Sequence, residues 1–279
     1  MSRALLVAIV LAATLLCVCS ALAVRVASKH TPSCLPASTR VAVYTYNIGG
    51  YDPLTFTRVP RDIDAFFFTI EGEITHGDRQ AAARQGWNVV FVDKSEQTPY
   101  VDANRLTSKR LKWASSALFS DYHFVLTHDA NVTVDYSRLR GFIRRHATDD
   151  SVVLKNWEHR TSGNQARVFS EINDMLERRK QFVTTSREQV IAWRDALLRD
   201  DTYDTAPYFE TDIFLFRPDC ARYRAFGDDT YRYCHSIQRD QFVVPYMLQK
   251  RGVRNKALPV RVWSNELGYR KKILHLKRN

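Results

Sequence analysis

Tyr122-His123-Phe124-Val125-Leu126-Thr127 is an apolar, β-branched run that ends in His128-Asp129-Ala130-Asn131. A run of that length and character reads as a buried strand, and the polar residues after it as a strand-to-loop junction. Similar runs stand at Arg40–Tyr46, Ile63–Thr69, Asn88–Val92, Val152–Leu154, Phe209–Phe216 and Ala257–Val262. Between them, Thr107–Phe119, Ser137–His146, Asn164–Lys180, Arg187–Leu198 and Gln238–Gln249 read as helices. Strands alternating with helices predict a single α/β domain with a mostly parallel central sheet covered on both faces. Ligands of such sheets sit beyond the carboxyl ends of the strands. Polar clusters at strand ends are therefore the candidate site.

Asp129-Ala130-Asn131 is the first cluster. Two oxygen donors at i and i+2 on a turn fit one hard divalent cation facing a diphosphate. The same residues also suit an ordinary turn, and Asn131-Val132-Thr133 is an N-glycosylation sequon. Glu210-Thr211-Asp212 is the second. In a strand, Glu210 and Asp212 share a face, as a general base or metal ligands in a cleft, or as solvated acids on an edge strand. Asp240 is the third, within Gln238-Arg239-Asp240-Gln241; it reads as a cleft base or as a helix N-terminal cap. Lys109, Arg110 and Lys112 precede the Asp129 strand, as phosphate contacts or a solvated face. His275 is a further candidate metal ligand or phosphate contact. Asn47-Ile48-Gly49-Gly50 is a strong turn after the first strand. The chain holds no G-x-S-x-G, H-E-x-x-H, P-loop or dinucleotide motif.

The chain has 279 residues and a formal charge of +11, of which +9 falls within Lys250–Asn279. A nearly neutral body with one basic end argues against a nucleic-acid partner. That end reads as closing on a diphosphate through His275, Lys271 and Lys272, or as resting on anionic membrane or acidic glycan. Ala4–Val24 is apolar apart from Thr14 and Ser20, long enough to span a bilayer. It reads as a signal anchor, with a cleaved signal peptide as the alternative because of Ala21-Leu22-Ala23. Either places the body in a secretory lumen, where Cys220 and Cys234 could pair. The expected division is an apolar helix over 1–24, a stem over 25–39, the domain over 40–262 and a basic tail over 263–279.

Four segments, in order, resemble the glycosyltransferase-like domain of the plant turgor-regulation and mucilage-related proteins. They are Val43–Asp52, with its Gly49-Gly50-Tyr51-Asp52 turn; Ser108–Lys112 followed by Asp129-Ala130-Asn131; Tyr208–Asp212; and Arg239-Asp240-Gln241 with Pro245-Tyr246. The resemblance covers about residues 41–255. Ala130 stands where that family has glycine. The resemblance implies a GT-A-like fold, a nucleotide-sugar donor, a divalent metal (manganese, with magnesium as the alternative) and a glycan, protein or lipid acceptor. It implies Asp129 and Asn131 as the metal and diphosphate site and Lys109 and Lys112 as donor contacts; Tyr44, Asn47 and Gly49 are added as expected donor contacts and His275 as an expected metal ligand. Glu210 and Asp240 become cleft acids, and with Asp212 they are the expected catalytic residues. The alternatives are a ceramidase-like hydrolase and a non-catalytic binder of glycans or polyanions.

Overall fold

The computed structural model describes residues 38–147, 151–156, 168–169, 172–173, 176, 187–200, 209–237 and 239–272. All lie in one compact unit, Pro36–Asn279. The apolar run 4–24, nearly all of the stem and His275 fall outside the described residues. Among the described residues, no helix is long and apolar enough to cross a membrane.

The strands among the described residues are β1 (Val41–Tyr46), β2 (Asp64–Thr69), β3 (Trp87–Phe91), β4 (Phe124–Asp129), β5 (Val132–Thr133), β6 (Val152–Asn156), β7 (Phe209–Phe216), β8 (Asn255–Leu258) and β9 (Arg270–Lys271). The helices are α1 (His76–Arg84), α2 (Ala103–Trp113), α3 (Leu139–His146), α4 (Arg187–Arg199), α5 (Ala221–Tyr233), α6 (Val244–Lys250) and α7 (Val260–Leu267). Seven strands make one sheet in the order β3-β2-β1-β4-β7-β6-β8, and β5 pairs with β9. The sheet is mostly parallel. Its exception is β7, antiparallel to both β4 and β6.

Strand alternation divides the aromatic side chains between two faces. Phe66 and Phe68 of β2 meet Phe119, which stacks on Tyr44 of β1 at 4.9 Å. Trp113 of α2 belongs to that side, stacked on Phe214 of β7 at 4.9 Å and packed edge-on to Phe226 of α5. Phe67 turns the other way, to Phe56, and Trp87 of β3 meets Tyr136 at the foot of α3. Covered on both faces, β1 and β4 are buried along nearly their whole length.

Several boundaries differ from expectation for local reasons. The first predicted helix gives way at Ala114 to a 3-10 turn, Ser116–Phe119. The Gln238–Gln249 helix splits into a 3-10 turn, Asp240–Phe242, and α6, which has proline in its first turn. Ala257–Val262 is not one strand: β8 stops at Leu258, and Pro259 caps α7. β7 is interior, so the reading of Glu210 and Asp212 as solvated edge acids fails. Residues 263–272, expected as tail, are folded in, with Trp263, Leu267 and Tyr269 buried. Cys220 and Cys234 are both free. They cap opposite ends of the 13-residue α5, about 20 Å apart, too far to bridge.

α5 crosses α2 at Gly227, where an added Cβ would lie 2.2 Å from the Trp113 carbonyl oxygen. Forcing atoms into a packed contact costs about 1–3 kcal/mol. Gly227→Ala should therefore lower the melting temperature by several degrees; an unchanged melt would show that the two helices separate freely.

Candidate active site

Parallel strands β1 and β4 lie side by side, with Tyr46 in register with Asp129. From β1 the chain runs to β2 on one side, while β4 lies on the other. The order reverses there, and loops beyond the carboxyl ends flank a crevice. One loop is Asn47–Asp52; the other is Asp129-Ala130-Asn131.

The first loop is shaped by its own side chains. The Asn47 amide donates to the Asp52 carbonyl at 2.6 Å, and the Gly49 N–H donates to Glu73 at 2.8 Å. Gly49 and Gly50 both have positive φ, +81° and +64°. A Cβ at Gly49 would lie 2.6 Å from the Asn104 amide, so glycine is required twice over. This holds Asp52 near Asp129. Burial and the Asp129 charge both raise the Asp52 carboxyl above its ordinary value, against a lowering effect of Lys271.

Asp129 is the partly open acid, its side chain about one third exposed. Its Oδ1 accepts from the Tyr46 hydroxyl at 3.2 Å and the Lys112 ammonium at 3.4 Å. Its backbone is fixed by His128, whose Nδ1 lies 2.9 Å from the Asp129 carbonyl. A carbonyl only accepts, so Nδ1 carries the proton and Nε2 accepts the Tyr136 hydroxyl at 2.6 Å. Burial pushes the His128 pKa down and keeps the ring neutral.

On the α2 side of the sheet, Lys112 is buried and joins three elements. Its ammonium lies 3.1 Å from Thr211 Oγ1 and 3.5 Å from Asp240. Asp240 is also held by Lys109 at 2.8 Å, the Trp113 indole N–H at 3.0 Å and the Thr211 hydroxyl at 3.3 Å. Burial raises the Asp240 carboxyl, but Lys109 and Lys112 outweigh it and hold the group far below the usual range. Asp240 is buried and both of its oxygens are engaged, so it ties α2 to β7. Lys109 and Lys112, the expected donor contacts, both pair with Asp240. Tyr44, also expected to contact a donor, lies in the core, and its hydroxyl donates to the Leu111 carbonyl at 2.8 Å. Asn47 is buried as the internal clamp of its loop, and Gly49 remains exposed at the crevice rim.

The second lysine cluster takes in β6, β7 and β9. The β6–β7 register jumps from Leu154↔Phe214 to Lys155↔Glu210. The jump lets Thr211 and Phe214 both meet α2, which strict alternation forbids, and turns Lys155 onto the acids. Lys155 is 1% exposed and pairs with Glu210, with Asp212 at 2.8 Å and with the Tyr269 hydroxyl. Tyr269 donates to Asp212 Oδ2 at 2.8 Å, and the Lys271 ammonium lies 3.0 Å from the same oxygen. Burial raises the Asp212 carboxyl, but Lys155 and Lys271 prevail and hold it at about 2. Glu210 keeps more solvent contact, with 14% of its side chain exposed.

The sequence reading missed Tyr46, Lys155 and Tyr269 and gave Asp52 no role. A lysine continuing an apolar strand, Val152-Val153-Leu154-Lys155, was the available signal for one of them: such a charge must meet acids. For a metal, Asp129 and Asn131 fit as two oxygen donors on one turn. Asn131 Oδ1 is buried without a hydrogen-bond partner. Magnesium-like ions need only one or two protein oxygens where phosphates supply the rest. Among the described residues, no group of three or more His, Cys, Asp or Glu side chains gathers to hold an ion alone.

No protein-family model matches the chain, and no curated protein matches it. Among solved structures, it is similar to the bifunctional glycosyltransferase WbbM, in apo form. The TM-score is 0.47 with 11% identity, over 80% of this chain and 39% of that one. It is also similar to the galactosyltransferase LgtC in complex with donor and acceptor sugar analogs. There the TM-score is 0.42 with 12% identity, over 79% of this chain and 74% of that one. This chain thus spans well under half of WbbM. Both scores lie below 0.5, and the chemistry follows from the chain's own residues.

Asp212 titrates at about 2 when folded, against ~3.9 for an unfolded aspartate. The stability it supplies is therefore complete above about pH 4 and is lost as the pH falls toward 2. Asp212→Asn should be less stable than the parent at pH 7 by on the order of 2 kcal/mol, with the gap closing toward pH 2. Circular-dichroism melts across that range check it; a gap constant in pH would assign the loss to packing alone.

Proposed function

We infer that the protein is a metal-dependent glycosyltransferase that moves a sugar from a nucleoside-diphosphate sugar to a glycan, protein or lipid hydroxyl. One observation carries this reading. The four segments that resemble the transferase-like family, far apart in sequence, meet through hydrogen bonds and charges at one sheet edge. Tyr46 and Lys112 reach Asp129; Lys112 reaches Thr211 and Asp240; Asp52 feels the Asp129 charge. Their meeting point is the crevice at the strand-order reversal, where an open α/β sheet binds its ligand. The same geometry supports a GT-A-like arrangement.

In this reading Asp129 and Asn131 hold the divalent ion, manganese or magnesium, which neutralises charge on the departing nucleoside diphosphate when bound. Lys112 and Tyr46 orient the Asp129 carboxylate, and His128 fixes its backbone. Lys271 and Lys272 add positive charge at the crevice mouth. Glu210, the least enclosed of the β7 acids, is the base that takes the proton of the acceptor hydroxyl if the reaction inverts. Asp212 and Asp240 are held too acidic for that work. The apolar run 4–24 anchors the domain at a membrane, its body in a secretory lumen. A polyanion-binding role is not favoured, because Arg251 and Lys271 of the basic end are paired with Asp229 and Asp212.

A thermal-shift series with nucleoside diphosphates and their sugars, with and without manganese, tests the proposal. A cognate nucleotide at about 100 times its Kd stabilises by about 2.7 kcal/mol. For a domain of this size that is a rise of roughly 5–10 °C. The rise should require metal and vanish in Asp129→Ala, together with donor hydrolysis. A response to no nucleotide, or one that survives Asp129→Ala, would sink the reading.

A further inference from the structure

After α7 the chain turns at Gly268, whose φ of +61° and close approach to Asp135 Cβ (3.3 Å) suit glycine. It then runs as a short strap, Tyr269–Lys272, across three parts of the site. β9 pairs with β5, directly behind the Asp129 turn. The Lys272 N–H donates to the Asn131 carbonyl at 2.9 Å, and its ammonium to Thr55 Oγ1 at 3.1 Å, beyond the glycine loop. A two-residue strand paired on one side is weak by itself. What ties it to the main sheet is Tyr269. Its ring is buried and lies under the Lys155 ammonium (4.2 Å to the centroid), and its hydroxyl donates to Asp212 while Lys155 donates to it. Lys271 adds its pair with Asp212 from a side chain 40% exposed.

We propose that Tyr269 is a latch: through Asp212 and Lys155 it fixes the register of the strap, and so sets where Lys271 and Lys272 stand over the crevice. The latch itself follows from the geometry of the chain; its effect on ligand rests on the diphosphate reading given above. The partners explain why tyrosine is needed. Lys155 presents three N–H donors to Glu210, Asp212 and Tyr269 together, and Asp212 takes one proton from each of Lys155, Lys271 and Tyr269. Removing the hydroxyl leaves the ion pairs intact, that of Lys271 included, and loosens the strap by the two bonds made at Tyr269. Tyr269 is thus a positioning residue, acting on the mouth of the site without facing the reacting atoms.

Tyr269→Phe keeps the ring and its packing, so the variant folds and melts within a few degrees of the parent. Native-state hydrogen exchange on the full chain, without ligand, reads the latch directly. The Lys272 amide and the β5–β9 amides should exchange about tenfold faster, the loss expected for one buried hydrogen bond, with β1, β4 and β7 unchanged. Tyr269→Leu should show the same local effect, because no hydroxyl is restored. Uniformly faster exchange, or no change at residues 270–272, would overturn the proposal. In a second arm, uridine diphosphate with manganese is titrated into both proteins by calorimetry. A several-fold weaker Kd in Tyr269→Phe supports the coupling to the crevice; an equal Kd overturns that coupling. If the parent binds no nucleoside diphosphate of a panel, the transferase reading fails while the exchange result still decides the latch.

Discussion

The pairing of one antiparallel strand into an otherwise parallel sheet governs the rest of the site. In a parallel sheet all carboxyl ends lie on one edge. β7 runs the other way between β4 and β6, so its first residues, not its last, stand on that edge. Ile213 pairs with His128 and Glu210 with Lys155. Glu210, Thr211 and Asp212 are thereby carried to the level where β4 ends in Asp129. A parallel β7 would deliver Phe214 and Phe216 there instead. Alternation divides the three residues, Thr211 to the α2 side and the acids to Lys155, and the register jump brings Lys155 opposite Glu210.

Placing several carboxylates on one buried edge carries a large electrostatic cost unless each is paired. The chain meets it with lysines on separate elements: Lys109 and Lys112 from α2, Lys155 from β6 and Lys271 from β9. Each bridges elements distant in sequence, so the ion pairs fix geometry as much as they balance charge. The division of work follows from access. Asp240 and Asp212 are enclosed and held acidic; Asp129, Asp52 and Glu210 retain an opening. The enclosed acids keep the lysines in place, and the lysines orient the open acids. A site preorganised in this way does not need its groups to rearrange when charge develops.

Much of this was legible in the sequence, and the parts that were not share a cause. β-Branched and aromatic runs located the sheet strands and hence the edge on which the site lies. Asp129, Glu210, Asp212 and Asp240 were all identified, because charged residues beside apolar runs stand out. How each is enclosed was not legible, since it depends on partners from other elements, 17 residues away for Lys112 and Asp129, 57 for Lys155 and Asp212, and 127 for Trp113 and Asp240. Lys155 was passed over because the strand was ended at Leu154, two residues before its end at Asn156. α5 was missed although Tyr223, Phe226 and Thr230 stand at helical spacing, because its polar residues hid the pattern. The capping box of α1, Thr75 with Asp78, was present too. That Tyr44 is core and Asn47 clamps its own loop was not legible either, because the Leu111 carbonyl and the turn back to Asp52 appear only in the fold.

The basic C-terminal end illustrates how charge density misleads when read without partners. Lys250–Asn279 carries most of the net charge of the chain, which in isolation suggests a tail seeking an external polyanion. Yet Arg251 pairs with Asp229 on α5, and Lys271 with Asp212 on β7. These acids lie in the part of the chain that appeared nearly neutral. Its balance of charges was therefore never internal to it. The body has acids in excess at the sheet edge, and the end supplies the cations that complete them. Lys271 and Lys272, on and beside β9, are thus held by the fold itself, through Asp212 of β7 and Thr55 beyond the glycine loop.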